Sequence, residues 1–268
     1  MALIGVLGAG GAVGRAVLDM LVEHRVRPGV RADGDDLRRW SAGCAVVINC
    51  TGLSLREEIL SAGSHYVDPA ARDAGPEIAV ADRVAVHDAG AMPGAAGLLP
   101  RYLAASLHER PARLAVEAGG LYRFTPASAR EFLGARHGWR DQAVRVNRAL
   151  GLAGSDWTTR FDGECVRQLL CGSGESTTEV TVDNLIAAAA ADAAGRTEYL
   201  TITAELTGEH GTVRTVRLRA GPELTARVAV ITAHAVLRGE IPPGTHSADD
   251  VLDPLRVVPK LLSEEGTV

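Results

Sequence analysis

The 268-residue chain is poor in aromatic residues (4%) and in lysine, and it lacks closely spaced cysteines. Each scarcity removes a class of function. Cys44, Cys50, Cys165 and Cys171 form no CxxC pair and no close histidine cluster adjoins them, so no metal site is expected. Cys50 ends an apolar run, where a free thiol acts as a small hydrophobe rather than a redox group, which suits a reduced, cytoplasmic protein. A single lysine, Lys260, and a net charge of −5 leave no basic block with interleaved aromatics, so nucleic acid is not an expected partner. The chain has no 18-residue apolar run, and it opens on ALIGVLGAGG without the basic stretch of a secretory leader. Neither membrane insertion nor export is therefore expected.

What is present is ordinary globular material, 46% hydrophobic and 23% charged, and long enough for two modest domains. Residues 2–7 predict a short buried strand, 8–14 a glycine turn, and 15–24 an amphipathic helix. Strands are also expected around 26–31, 45–49, 65–67 and 83–87, with helices at 55–62 and 94–108. Strands alternating with helices imply a right-handed parallel sheet. Near Pro111 the pattern changes. Residues 198–206 and 212–218 predict adjacent antiparallel strands, and 182–194 and 222–238 predict helices. The expected organisation is an α/β domain over 1–111 and an α+β domain over 112–268, whose last helices could pack back on the first.

The most informative string is Gly8-Ala9-Gly10-Gly11-Ala12-Val13-Gly14, placed between the first strand and the first helix. Glycines there allow a tight turn and close approach of a pyrophosphate, while the helix N-terminus offers unpaired N–H groups to the same anion. The usual G-x-G-x-x-G would require glycine where Val13 stands, so this is a variant fingerprint. A Rossmann-type domain is expected, with Gly8, Gly10, Gly11, Ala12 and Val13 at the dinucleotide. Arg31, near the end of the second strand, suits the 2′-phosphate of NADPH, while Asp33 keeps NADH open as an alternative. Cys50, Thr51 and Gly52 end the third strand, where an open α/β sheet places its ligand.

The strings GVLGAGGAVG, VVINCTG, GSHYVDPA and GAMPGAAGLLPRYLA, in this order, resemble the NADP-binding half of saccharopine dehydrogenase-like reductases. Fainter echoes run through AGGLYRFTPASA, TTRFDGEC and DVLDPLRVV. The resemblance implies a Rossmann domain followed by an α+β substrate and dimerisation domain, a homodimer, and hydride transfer between NADPH and a C=N bond. Where lysine-pathway members carry an acidic residue before Pro-Gly, this chain has Met92. The expectation therefore moves from saccharopine to imine reduction in specialised metabolism, on a small imine or amine–carbonyl pair that could be carrier-bound, as in thiazolinyl imine reductases. A bound-cofactor sensor or a redox-neutral synthase is the competing class.

Reducing an imine calls for a proton donor near the hydride if the nitrogen is not already protonated. Tyr66 and His65 are candidate donors and Asp68 a candidate partner for an iminium, although a strand tyrosine can equally be structural. Met92, Arg101 and Arg160 are candidate substrate contacts. Arg101 could face either cleft or solvent, and Arg160 could simply pair with Asp162.

Overall fold

The computed structural model describes residues 2–29, 34–70, 82–134, 138–171 and 180–263. They form two compact units, one from Met1–Leu98 and Glu223–Val258, the other from Leu99–Pro222 and Pro259–Val268.

The first unit begins with β1 (Leu3–Leu7), α1 (Ala12–Met20), β2 (Arg25–Gly29), α2 (Gly34–Ser41), β3 (Val46–Asn49), α3 (Arg56–Ser61), β4 (His65–Val67) and β5 (Val84–His87). Helix α4 (Ala95–Ala105) follows and carries the chain into the second unit. There lie β6 (Pro111–Leu121), α5 (Pro126–Gly134), α6 (Gly138–Leu150), β7 (Asp156–Phe161), α7 (Glu164–Cys171), α8 (Val182–Asp192), β8 (Tyr199–Gly208) and β9 (Val213–Ala220). The chain returns to the first unit through α9 (Leu224–Leu237), β10 (Gly244–Ser247), α10 (Ala248–Val251) and the start of α11 (Pro254–Leu262).

The first unit is a parallel sheet in the order β10-β5-β4-β3-β1-β2. Its central strands are apolar because both faces are covered: all four residues of β3 are buried, and α9 packs against β3, β4 and α1. Helix α9 buries residues all round its circumference, including Leu224, Val228 and Val236, and its buried Thr232 hydroxyl is satisfied by Val228 O at 2.8 Å. Each such Val or Leu side chain contributes about 1.5–3 kcal/mol by leaving water. The opposite face packs Leu7, Leu37, Val47, Ile59, Leu60 and Tyr66 beneath α2 and α3. Five of the six strands are those the apolar runs predict. The sixth, β10, has the sequence GTHS, too short and polar to read as a strand by pattern.

The second unit is a four-stranded sheet in the order β7-β6-β8-β9. The hairpin β8–β9 is antiparallel as expected, but β6 pairs in parallel with β7, so the sheet is mixed. Strand β7 escapes the sequence pattern because DWTTRF lies at a sheet edge and buries none of its residues fully. The scarce aromatics concentrate beside it: Phe124, Phe132, Phe161 and Tyr122 pack with ring centroids 5.2–6.3 Å apart. Three of these are the chain's entire phenylalanine complement. Burial raises the Tyr122 hydroxyl well above the usual tyrosine range.

Candidate functional site

The site grows from the carboxyl ends of the parallel strands. At the end of β1, Gly8 takes φ +73°, and a Cβ there would sit 2.7 Å from Cys50 O. A Cβ on Gly14 would lie 2.2 Å from Gly8 O. These two glycines let the turn close on itself and on the loop after β3. Gly10 and Gly11 differ. A Cβ on Gly10 would meet nothing within 4 Å, and on Gly11 only Gly8 O at 3.3 Å, with φ at an ordinary −78°. Among the described residues nothing requires glycine at position 10, and little requires it at 11, so these two leave the N-terminus of α1 room for a ligand's close approach. The first turn of α1 carries no acidic residue and its N-cap makes no side-chain hydrogen bond, so the helix supplies no anion of its own to these amides. This fits a pyrophosphate carried by backbone donors of Ala12, Val13 and Gly14.

The neighbouring strand ends converge here. Ala9 N donates to Gly29 O at 3.1 Å and Cys50 N to Leu7 O at 2.9 Å, joining the termini of β2, β1 and β3. Gly52, at φ +73°, turns the loop that contains Thr51. The turn is also bridged by Arg15, whose guanidinium donates to Gly10 O, a residue the sequence pattern does not single out. Arg31 and Asp33 lie outside the described residues.

A second feature is a row of polar residues across adjoining strands. Ile48 pairs with Val67 and Val67 with Val86, so one step further Asn49, Asp68 and His87 come into register, and His87 pairs with Ser247. Asn49, Asp68 and Ser247 are buried. The Asn49 amide nitrogen donates to Leu53 O at 2.8 Å, to the Tyr66 hydroxyl at 2.9 Å and to Asp68 Oδ2 at 3.1 Å. Tyr66 donates to the same Asp68 oxygen, and Ala70 N donates to Asp68 Oδ1 at 2.9 Å. The Asn49 amide oxygen accepts from the Thr51 hydroxyl at 2.7 Å. A buried carboxylate is tolerated because it is met by donors like these. Beside it, burial and the Asp68 charge push the Cys50 thiol up to about 12.

His87 closes β5 with Nδ1 3.2 Å from Asp88 Oδ2 and 3.4 Å from Ser247 Oγ. Asp88 adopts φ +57°, a left-handed conformation tolerated by short polar side chains and recurrent at functional sites. The chain then folds back: a Cβ on Gly94 would lie 2.2 Å from Gly90 O and 2.4 Å from Asp88 O, and Met92, half-buried, occupies this bend before a cis Met92–Pro93 peptide. Asn49, His87, Asp88 and Ser247 are absent from the sequence-based candidates. For Asn49 and His87 the signal is a polar residue ending an apolar strand, and Asp88 follows directly; Ser247 ends the polar strand β10 and carries no such signal.

The structure brings Tyr66 and Asp68 together but separates His65 from them. His65 opens β4 at the opposite edge of the sheet, pairing with Val46. Its Nδ1 accepts from Val84 N at 2.9 Å, and burial, with Arg83 nearby, lowers its pKa. Tyr66 is 2% exposed and already donates to Asp68, which opposes its expected part as a free proton donor. Arg101 and Arg160 belong to the second unit. Arg160 pairs with Asp162 at 3.1 Å, the bland alternative noted from sequence, and Asp162 also accepts from Tyr199, whose ring carries Arg219 at 4.0 Å.

No model of a known protein family matches the chain, and neither does any curated protein. Solved structures do share its shape. An apo saccharopine dehydrogenase (L-Glu forming) from Saccharomyces cerevisiae matches with a TM-score of 0.66 at 11% identity, over 99% of this chain and 98% of that one. A probable dehydrogenase from Thermotoga maritima matches at TM-score 0.52 and 13% identity, over 98% and 97%. A meso-dapdh mutant with DAP, from Clostridium tetani E88, matches at 0.50 and 14%, over the whole of both chains. At such identities the likeness is one of architecture: the chain has the saccharopine dehydrogenase-like fold, a Rossmann-like parallel sheet and a second, mixed sheet.

Proposed function

We propose that the chain is an NADPH-dependent oxidoreductase that reduces a C=N bond in a small imine or amine–carbonyl adduct, free or carrier-bound. The observation that carries the dinucleotide part of this proposal is the glycine turn, where no described residue would meet a Cβ on Gly10 and α1 supplies no anion of its own to its first amides; the C=N substrate follows from the sequence resemblance. The dehydrogenases that share the fold support a nicotinamide cofactor.

In this proposal the amides of Ala12, Val13 and Gly14 hold the pyrophosphate with Arg15 at its edge. Arg31 pairs with the 2′-phosphate, and Cys50, Thr51 and Gly52 border the dinucleotide. The reduced nicotinamide, when bound, supplies the hydride. His87 handles the proton: its Nδ1 faces the Asp88 carboxylate, so the imidazole is fixed in one tautomer and exchange falls to Nε2. Asn49, Tyr66 and Asp68 act one step back, holding the ends of β3 and β4 in position. Met92, in the bend that follows His87, is assigned to the substrate.

A titration of protein fluorescence with NADPH and NADH, followed by imine-dependent loss of NADPH absorbance, tests the proposal. Saturable binding with oxidation supports it; absence of either defeats it. The burial of Tyr66 against Asp68 favours a second reading, a sensor or redox-neutral synthase that keeps its dinucleotide. Bound NADPH that is never consumed would select the sensor, and product without net oxidation the synthase.

A further inference from the structure

The first unit holds a pair of histidines outside the glycine turn and 210 residues apart in the chain. His24 lies in the bend after α1, its N–H donating to Leu21 O at 2.8 Å, and His234 in the last turn of α9. Their Nε2 atoms are 3.2 Å apart and their ring centroids 4.9 Å, with the rings inclined at 40°. The two open onto a surface groove of about 370 Å³ lined also by Ala2, Leu237 and Arg238.

We propose that His24 and His234 form a two-imidazole site for a borderline transition-metal dication such as Zn²⁺, Ni²⁺ or Cu²⁺, completed by water. The bite carries the inference. With metal–nitrogen bonds of about 2.0–2.1 Å, nitrogens 3.2 Å apart subtend about 103° at the metal, between square-planar and tetrahedral values. If both in-plane lone pairs aim at that point, the ring centroids should be about 5.0 Å apart, whereas a straight N–H···N contact would separate them by about 5.5 Å. The observed 4.9 Å agrees with the convergent arrangement. The contact in the structure is thus a bent hydrogen bond in which a metal ion can replace the shared proton. Imidazole suits these cations, while a site with no carboxylate ligand does not suit calcium or magnesium. Among the described residues no cluster of three or more His, Cys, Asp or Glu is built to hold a metal, so a pair without a third protein ligand is open on its water side. The nearby Arg238 charge is opposed by Glu240, whose carboxylate accepts from its guanidinium at 2.8 and 2.9 Å. An ion here would tie the end of the glycine-turn helix to α9, and the site does not depend on the nucleotide proposal.

Calorimetric titration of the untagged full chain with Zn²⁺ tests it, together with electron paramagnetic resonance of the protein with one equivalent of Cu²⁺. One ion per chain should bind with a Kd on the order of micromolar, at least about tenfold weaker in His24→Ala and in His234→Ala, and unchanged in His210→Ala. The Cu²⁺ spectrum should show coupling to two imidazole nitrogens, a readout that needs no variant to fold. Absence of saturable binding, affinity in either variant equal to that of the unmodified protein, or coupling to fewer than two nitrogens would overturn the assignment.

Discussion

Tyr66 donates its phenolic hydrogen to the carboxylate of Asp68, two residues along the chain, and Asn49 on the adjoining strand donates to both. The triangle converts three polar side chains at the end of a parallel sheet into a buried brace. Its members are 0–2% exposed, so each hydrogen bond is made where water cannot replace it.

Removing one donor therefore has a structural cost. Tyr66→Phe should lower unfolding free energy by about 1.5–3 kcal/mol, the range for a bond to a charged group, in urea denaturation. An unchanged midpoint would show that the brace is not formed.

The open position in the glycine turn separates binding from folding. Gly10→Val should weaken NADPH at least about tenfold, or about 1.4 kcal/mol, while stability stays within about 0.5 kcal/mol. Gly14→Val should instead destabilise the fold, because its Cβ would collide with Gly8 O. Fluorescence titration and thermal melts of the two variants distinguish these outcomes.

In the proposed function Arg31 sets the cofactor choice. NADPH should bind more tightly than NADH by about 1.5–3 kcal/mol, and Arg31→Ala should erase most of that difference. Equal dissociation constants in the unmodified protein would refute the assignment.

His87→Gln should reduce turnover on an imine substrate more than about tenfold while NADPH affinity stays within about threefold, under about 1 kcal/mol. Asp88→Asn should do the same more mildly, since it leaves the imidazole but weakens its orientation. Full activity in His87→Gln would remove the residue from the proton path.

Thiol chemistry should follow environment. With its pKa raised to about 12, Cys50 stays protonated at neutral and mildly alkaline pH. Because the folded value lies above the unfolded one, its contribution to stability is complete below about pH 8.5 and is lost as pH rises toward 12. In native protein a thiol reagent should label exposed Cys165 and spare Cys50 and buried Cys44, as read by peptide mass spectrometry.

The local elements of the first unit were legible in the chain because their chemistry is local. VVIN and YV are apolar runs of strand length, and GAGGAVG between strand and helix announces the turn without any tertiary knowledge. Hydrophobic pattern could not reveal β10 or β7, whose polar sequences become strands only because β5 and β6 offer free edges. The same limit governed the site. Tyr66 and Asp68 could be named from sequence, but that the hydroxyl donates to the carboxylate, and that both are joined by Asn49, nineteen residues from Asp68 and brought beside it by parallel register, appears only in the fold. His65 and His87 look alike in a sequence; strand direction alone puts one at the amino edge of the sheet and the other at the carboxyl edge, where parallel sheets place their ligands. Residue type and spacing determined which groups the chain carries, and long-range pairing decided which of them meet, because register and burial arise from contacts between segments that the sequence keeps apart.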